Sequence, residues 1–127
     1  MTNPLYVEHI MDHYRNPRNF GKIPDAQIKN HESNTLCGDE YEFDLKLENG
    51  IVSEIKFFGD GCAISKASAS LLSDNLIGKN LEQIKSLTEK DILKFLGIEV
   101  NAMRMKCAMF PLVIVLRGIE NFEKEKI

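Results

Sequence analysis

Three cysteines, Cys37, Cys62 and Cys107, and one aspartate, Asp39, are the residues of this 127-residue chain whose neighbourhoods point to shared chemistry. Cys37 opens Cys37-Gly38-Asp39, where the glycine lets the backbone curl so that a thiol and a carboxylate two residues apart can converge. Cys62 closes Gly59-Asp60-Gly61-Cys62 at the junction of a strand pattern and a helix pattern, where unbonded N–H groups and the helix dipole favour a thiolate. Cys107 follows Arg104-Met105-Lys106 near a second helix start, and these cations favour the thiolate there too. Singly, each signal is weak: a lone cysteine is often a small buried hydrophobe, and a lone aspartate in a loop is usually a turn residue or a cap. Together, three thiolates and one carboxylate make a complete four-ligand set for tetrahedral zinc or for a 2Fe-2S cluster.

Other metal chemistry is poorly supported. The cysteine gaps of 25 and 45 residues contain no Cys-x-x-Cys pair, so no zinc ribbon or thioredoxin-like motif is present. His9 and His13 stand i, i+4 on a helix pattern, but Ile10 follows His9, so the HExxH motif of metalloproteases is absent and both read as helix-surface residues. His31 reads as a solvated loop residue. Arg104 and Lys106 are either solvated charges or stabilisers of the Cys107 thiolate. A zinc hydrolase or deaminase is disfavoured, because no His-x-Glu is paired with Cys-x-x-Cys and a four-ligand site leaves no open position for water.

The elements that must position these residues follow from periodicity. Residues 4 to 14 carry Leu5, Ile10 and Met11 in a loose helical pattern that stops at Arg15-Asn16-Pro17. From Tyr41 the chain alternates, with Tyr41, Phe43, Leu45 and Leu47 on one face and Glu42, Asp44, Lys46 and Glu48 on the other. Asn49-Gly50 supplies a type I′ turn, and Ile51, Val52, Ile55, Phe57 and Phe58 form the partner strand. Ile64, Ala67, Leu71, Leu72 and Leu76 then recur at helical spacing as far as Gly78. Asn80 can cap a short helix over residues 81–85, and Thr88-Glu89-Lys90-Asp91 opens another that ends at Gly97. Leu112, Val115, Leu116, Ile119 and Phe122 form a last helical stripe, starting at about Met105 or Pro111 because proline is tolerated only near a first turn. Strands first and helices after define an α+β fold, an antiparallel sheet with helices on one face.

Composition bounds the function. Sixteen basic against 19 acidic residues give a net charge of −3, and the basic residues are scattered, so there is no electrostatic footprint for nucleic acid or an anionic membrane. With 43% hydrophobic residues the chain can bury a core without disulfides, and no repeat or linker divides it, so one domain over residues 1–127 is expected. An odd number of cysteines, no leader-like N-terminus and no apolar run of about 18 residues lead to the expectation of a cytoplasmic protein with reduced thiols and no membrane partner.

Four segments in order, Asp12-His13-Tyr14-Arg15-Asn16-Pro17-Arg18-Asn19-Phe20-Gly21, Cys37-Gly38-Asp39, residues 58–70 around Gly59-Asp60-Gly61-Cys62-Ala63-Ile64-Ser65, and Arg104-Met105-Lys106-Cys107-Ala108, resemble the U-type iron-sulfur assembly family. This family comprises the IscU, SufU and NifU N-terminal proteins. The resemblance implies an α+β fold of the SufE/NifU kind with a three-stranded antiparallel sheet. It also implies that Cys37, Asp39, Cys62 and Cys107 meet at one exposed end and bind a transient 2Fe-2S cluster, iron or zinc. In the IscU branch the third cysteine follows a histidine within a Leu-Pro-Pro-Val-Lys-type segment read by a specialised Hsp70 chaperone. Asn101-Ala102-Met103-Arg104-Met105-Lys106 stands there instead, so the resemblance carries over neither that histidine ligand nor that chaperone. The Gly-Asp-Gly-Cys-Ala-Ile-Ser and Arg-Met-Lys-Cys-Ala segments are similar to the SufU branch, yet the 45-residue gap is too short for the insertion usual there.

Three functions are therefore expected to compete. The first is a non-enzymatic scaffold that accepts sulfur from a cysteine desulfurase, assembles a labile cluster and passes it to apo-proteins. The second is a zinc-dependent sulfurtransferase using the same ligands, and the third is an interaction domain with structural cysteines. Cys37 and Cys107 are the candidate sulfur acceptors in the first two.

Overall fold

A computed structural model describes residues 4–35 and 38–125; Cys37 lies outside the described residues. The order is α1 (Pro4–Arg15), β1 (Ile28–Asn34), β2 (Asp39–Glu48), β3 (Ile51–Asp60), α2 (Ala63–Leu76), α3 (Leu81–Lys85), α4 (Glu89–Leu96) and α5 (Ala102–Glu125). The strands form an antiparallel sheet in the order β1-β2-β3, and α2 and α5 cover one of its faces, as the α+β expectation required.

The central strand carries the organising pattern. Tyr41, Phe43 and Leu45 are buried at successive alternate positions. Phe57 on β3 lies opposite Phe43 and stacks on it with ring centroids 5.4 Å apart. The β2–β3 turn is as expected, with Asn49 and Gly50 at φ 54° and 78° and Glu48 paired to Ile51. A bulge follows, since Lys46 pairs Glu54 while Leu47 pairs Val52.

Several sequence expectations are corrected. Asp44, assigned to the solvent face, is 1% exposed, because the segment after Gly21 crosses the outer face of the sheet and the Ile23 N–H donates to Asp44 Oδ2 at 2.9 Å. His31 lies on a strand, not in a loop: Ile28–Asn34 is too polar to show a strand pattern, but it pairs residue by residue with Asp39–Leu45. The last helix begins earlier than expected. The Asn101 side chain accepts from the Arg104 N–H at 2.9 Å and its carbonyl accepts from the Met105 N–H at 2.8 Å, so Asn101 caps α5 and Pro111 falls in the helix interior. Pro111 has no N–H to offer the carbonyl of Cys107 four residues back, which interrupts the hydrogen-bond ladder there.

The short connecting helices match their sequence signals. Asn80 and Gln83 exchange side-chain to backbone bonds of 2.8 Å at the start of α3. The Asp91 carboxylate accepts from the Thr88 N–H at 2.8 Å, and Gly97 ends α4 at φ 72°.

His13 also departs from expectation. It is 4% exposed, and its Nδ1 lies 2.7 Å from Ser70 Oγ, which in turn accepts from the Arg18 N–H at 2.8 Å. This joint holds α1 and the following turn against α2. Burial, then the nearby Arg18 and His9 charges, hold the imidazole below its ordinary value of 6.5. A base whose folded value is lowered adds stability above its unfolded value and loses it as the pH falls. We therefore expect the urea midpoint to drop as pH is lowered below about 6.5, and to drop less steeply for His13→Gln, as measured by equilibrium unfolding across that range.

Candidate metal centre

Three of the four sequence-derived site residues converge at one end of the sheet. Asp39 is the first residue of β2, and the strand period of two puts it on the same helix-facing side as Tyr41 and Phe43, so its side chain is 1% exposed. Cys62 lies at the expected junction of strand and helix, where it is the N-cap of α2, and its sulfur accepts from the Ser65 N–H at 3.4 Å. Cys107 departs from its expected place at a helix start. It lies in the second turn of α5, on a buried stripe continued by Phe110, Pro111, Ile114, Val115 and Gly118, and is 4% exposed. Oxygen and sulfur donors of Asp39, Cys62 and Cys107 all lie within 4.8 Å of one another.

The Asp39 carboxylate is held in a lopsided way. Oδ1 accepts from the Cys62 N–H at 2.9 Å, which uses one of the donors exposed at the start of α2. Oδ2 is buried and has no hydrogen-bond partner among the described residues. A buried carboxylate oxygen left in this state costs on the order of 1–3 kcal/mol, more if charged, unless something answers it. The Cys62 and Cys107 sulfurs lie within 4.8 Å of a carboxylate oxygen of Asp39, so a cation bound by the thiols would be within reach of that carboxylate. In a tetrahedral zinc–thiolate site with bonds of about 2.3 Å, neighbouring sulfurs stand about 3.8 Å apart. Donors already within 4.8 Å need only a small adjustment to reach that spacing. The residues thus fit a thiophilic metal ion or an iron–sulfur cluster.

A supporting layer fixes the backbone around Cys62. The Ser65 hydroxyl donates to the Cys62 carbonyl at 3.1 Å and lies 2.7 Å from Tyr41 Oη, so the phenol donates to Ser65. Burial is the main force raising the Tyr41 phenol above its ordinary range; the Ser65 bond offsets part of this, and the Asp39 and Cys62 charges add to it. Tyr41 therefore remains a donor throughout the working pH range. Gly61 lies at the centre of this arrangement: a Cβ there would come within 2.3 Å of Asp39 Oδ1 and 2.6 Å of both Tyr41 Oη and Ser65 Oγ. Strand and helix periodicity marked Tyr41 and Ser65 only as core and helix residues. Their role was hidden because it arises from contact across elements.

Arg104 and Lys106, either solvated charges or stabilisers of the Cys107 thiolate by sequence, precede that cysteine on α5. Arg104 and Lys106 are exposed, and neither makes an ion pair among the described residues. Arg104 instead lines an apolar groove with Val7, Ile10, Ile64 and Ile98. His9 is exposed, as expected, and His31 pairs with Glu40 at 2.8 Å.

Fold and site together define a small α+β domain with a buried, sulfur-rich donor cluster at one end of a three-stranded sheet. The chain belongs to the NifU-like N terminal domain family, which it matches over residues 5–127. It is 33% identical to the zinc-dependent sulfurtransferase SufU of Bacillus subtilis, with 94% of this chain and 92% of that protein covered. That alignment spans 136 positions, more than the 127 residues of this chain, so SufU carries insertions that are absent here. It is 46% identical to the iron-sulfur cluster assembly scaffold protein IscU of Thermotoga maritima, over 68% of this chain and 61% of that protein. The crystal structure of a NifU-like N-terminal protein from Brucella abortus shares the fold, with a TM-score of 0.76 at 19% identity, covering 92% of this chain and 93% of that one. Among the described residues, no helix is long and apolar enough to cross a membrane.

The close approach at Gly61 gives a direct test of the geometry. Gly61→Ala is expected to push the Asp39 carboxylate off the Cys62 N–H and to weaken zinc binding by about tenfold or more, read by competition with a chromophoric chelator. Unchanged affinity would show that the site does not depend on this packing.

Proposed function

We propose that this chain is an iron–sulfur cluster assembly scaffold that takes sulfur from a cysteine desulfurase, gathers iron, and holds a labile 2Fe-2S cluster for transfer to apo-proteins. The observation that carries this reading is the convergence of Asp39, Cys62 and Cys107, whose donor atoms lie within 4.8 Å of one another, with one buried Asp39 oxygen lacking a hydrogen-bond partner among the described residues. In this reading Cys37, two residues before Asp39, is the fourth ligand. The relative named as an IscU scaffold supports it.

The sulfur step requires a nucleophile. A thiolate attacks the outer sulfur of the desulfurase persulfide, a new S–S bond forms on the acceptor, and the desulfurase cysteine leaves as a thiolate. Cys37 and Cys107 are the candidate acceptors, and burial of Cys107 means that the first turns of α5 must shift for it to serve. Three thiolates hold a cluster firmly, whereas a carboxylate is a harder ligand and weakens retention. Weak retention suits a protein that must give its cargo away.

A second reading is favoured by a specific observation, the match to a zinc-dependent sulfurtransferase over nearly the whole chain. Bound zinc would hold the same thiols deprotonated and release one to accept sulfur.

Reconstitution separates the readings. Anaerobic incubation with ferrous iron, cysteine and a cysteine desulfurase is expected to yield a coloured cluster that moves to an apo-ferredoxin. Cys62→Ser and Cys107→Ser should each abolish it. Tight zinc with no cluster and strong stimulation of the desulfurase would establish the sulfurtransferase instead. Purified protein with no stoichiometric iron or zinc, and neither activity, would leave only an interaction domain with structural cysteines.

A further inference from the structure

The buried hydroxyls of α2 belong to a segment whose sequence was distinctive but whose serines the ligand chemistry leaves unused. Ser65, Ser68, Ser70 and Ser73 are each at most 2% exposed. Ser65 serves the Cys62 carbonyl and Tyr41, while Ser70 and Ser73 reach the His13–Asn19 segment. Ser68 points elsewhere: its hydroxyl donates to the Ala108 carbonyl of α5 at 2.6 Å in a fully buried setting. The acceptor is the residue immediately after Cys107. It also lies in the turn where Pro111 interrupts the ladder, so the helix is locally less able to hold its own register. One helix carries the Cys62 sulfur and the other the Cys107 sulfur, and Ser68 bonds the first to the turn bearing the second.

We propose that Ser68 is a positioning residue that sets the separation of the Cys62 and Cys107 thiols. The proposal rests on the reading that these thiols share a metal or cluster. Apolar packing between α2 and α5 is non-directional and tolerates small slips, whereas a short buried hydrogen bond fixes one helix against the other along its axis. Groups that orient ligands without touching the metal typically govern affinity by about ten- to a hundredfold.

The test titrates the whole apo-protein with zinc and, separately, with cobalt(II), whose thiolate charge-transfer and ligand-field bands report coordination geometry. Ser68→Ala is expected to weaken zinc binding by about tenfold or more and to alter the cobalt spectrum. Ser73→Ala, an equally buried serine of the same helix, is expected to lower the unfolding midpoint while leaving affinity and spectrum as in the wild type. Ser68→Thr keeps the donor and should restore both readouts; it carries the test if the alanine variant does not fold. Wild-type affinity and spectrum in a folded Ser68→Ala, or their loss in a folded Ser68→Thr, would overturn the proposal alone. If the wild-type protein takes up neither metal at its thiols, the shared-site reading fails and the proposal falls with it.

Discussion

The hydrogen bond from the Cys62 N–H to Asp39 Oδ1 is the constraint around which the site is built. It joins the first residue of the central strand to the first turn of the helix that follows the sheet, two points separated by a whole hairpin. An N-terminal helix N–H must find an acceptor, and a buried carboxylate must find donors. Each meets part of the other's need, but only part, because Oδ2 has no hydrogen-bond partner among the described residues. A cation held among Asp39, Cys62 and Cys107 would offer that carboxylate a further partner. Metal binding and folding are coupled in such an arrangement, since the donors exist as a set only when β2, α2 and α5 are packed together.

Several ordinary-looking residues are needed to permit that one bond. Gly61 gives the carboxylate room, and the chain from Tyr41 through Ser65 to the Cys62 carbonyl holds the strand-to-helix junction in place. Tyr41 is at once a core aromatic packed near Phe57 and Phe110 and the donor that starts this chain. Loss of its ring would damage the core, whereas loss of its hydroxyl would loosen the junction while leaving most of the packing. Core and site are therefore not separable layers in this molecule.

How much of this was readable before the structure depended on whether a residue's role follows from its own neighbours. The β2–β3 hairpin, the caps at Asn80 and Thr88 and the strand-to-helix junction at Cys62 were legible, because local spacing and turn chemistry determine them. The burial of Asp39 was nearly so: extending the alternation of Tyr41, Phe43 and Leu45 back by one step puts it on the core side. β1 was not legible, because Lys29, Asn30, His31, Glu32, Ser33 and Asn34 carry no apolar alternation and the strand exists by pairing with β2. Asp44 and His13 were assigned to solvent, and both are buried by a distant segment, the first under Ile23 and the second against Ser70. Pro111 misled by obeying a sound local rule that tertiary packing of α5 overrides.

The lopsided carboxylate also explains why one ligand set is compatible with two chemistries. A scaffold would have to release a whole cluster and a sulfurtransferase would have to free a thiolate, so in each a different bond to the metal would break. As a ligand, Asp39 would be suited to the release of a cluster, because its departure would not strand it. With Oδ1 held by the Cys62 N–H, the carboxylate would keep its place and one hydrogen bond when it gave up a metal. A ligand oriented by the metal alone would swing away and have to search for its position again. What distinguishes the two functions must then lie outside the donor set, in what docks near the sulfurs and how readily the first turns of α5 uncover Cys107.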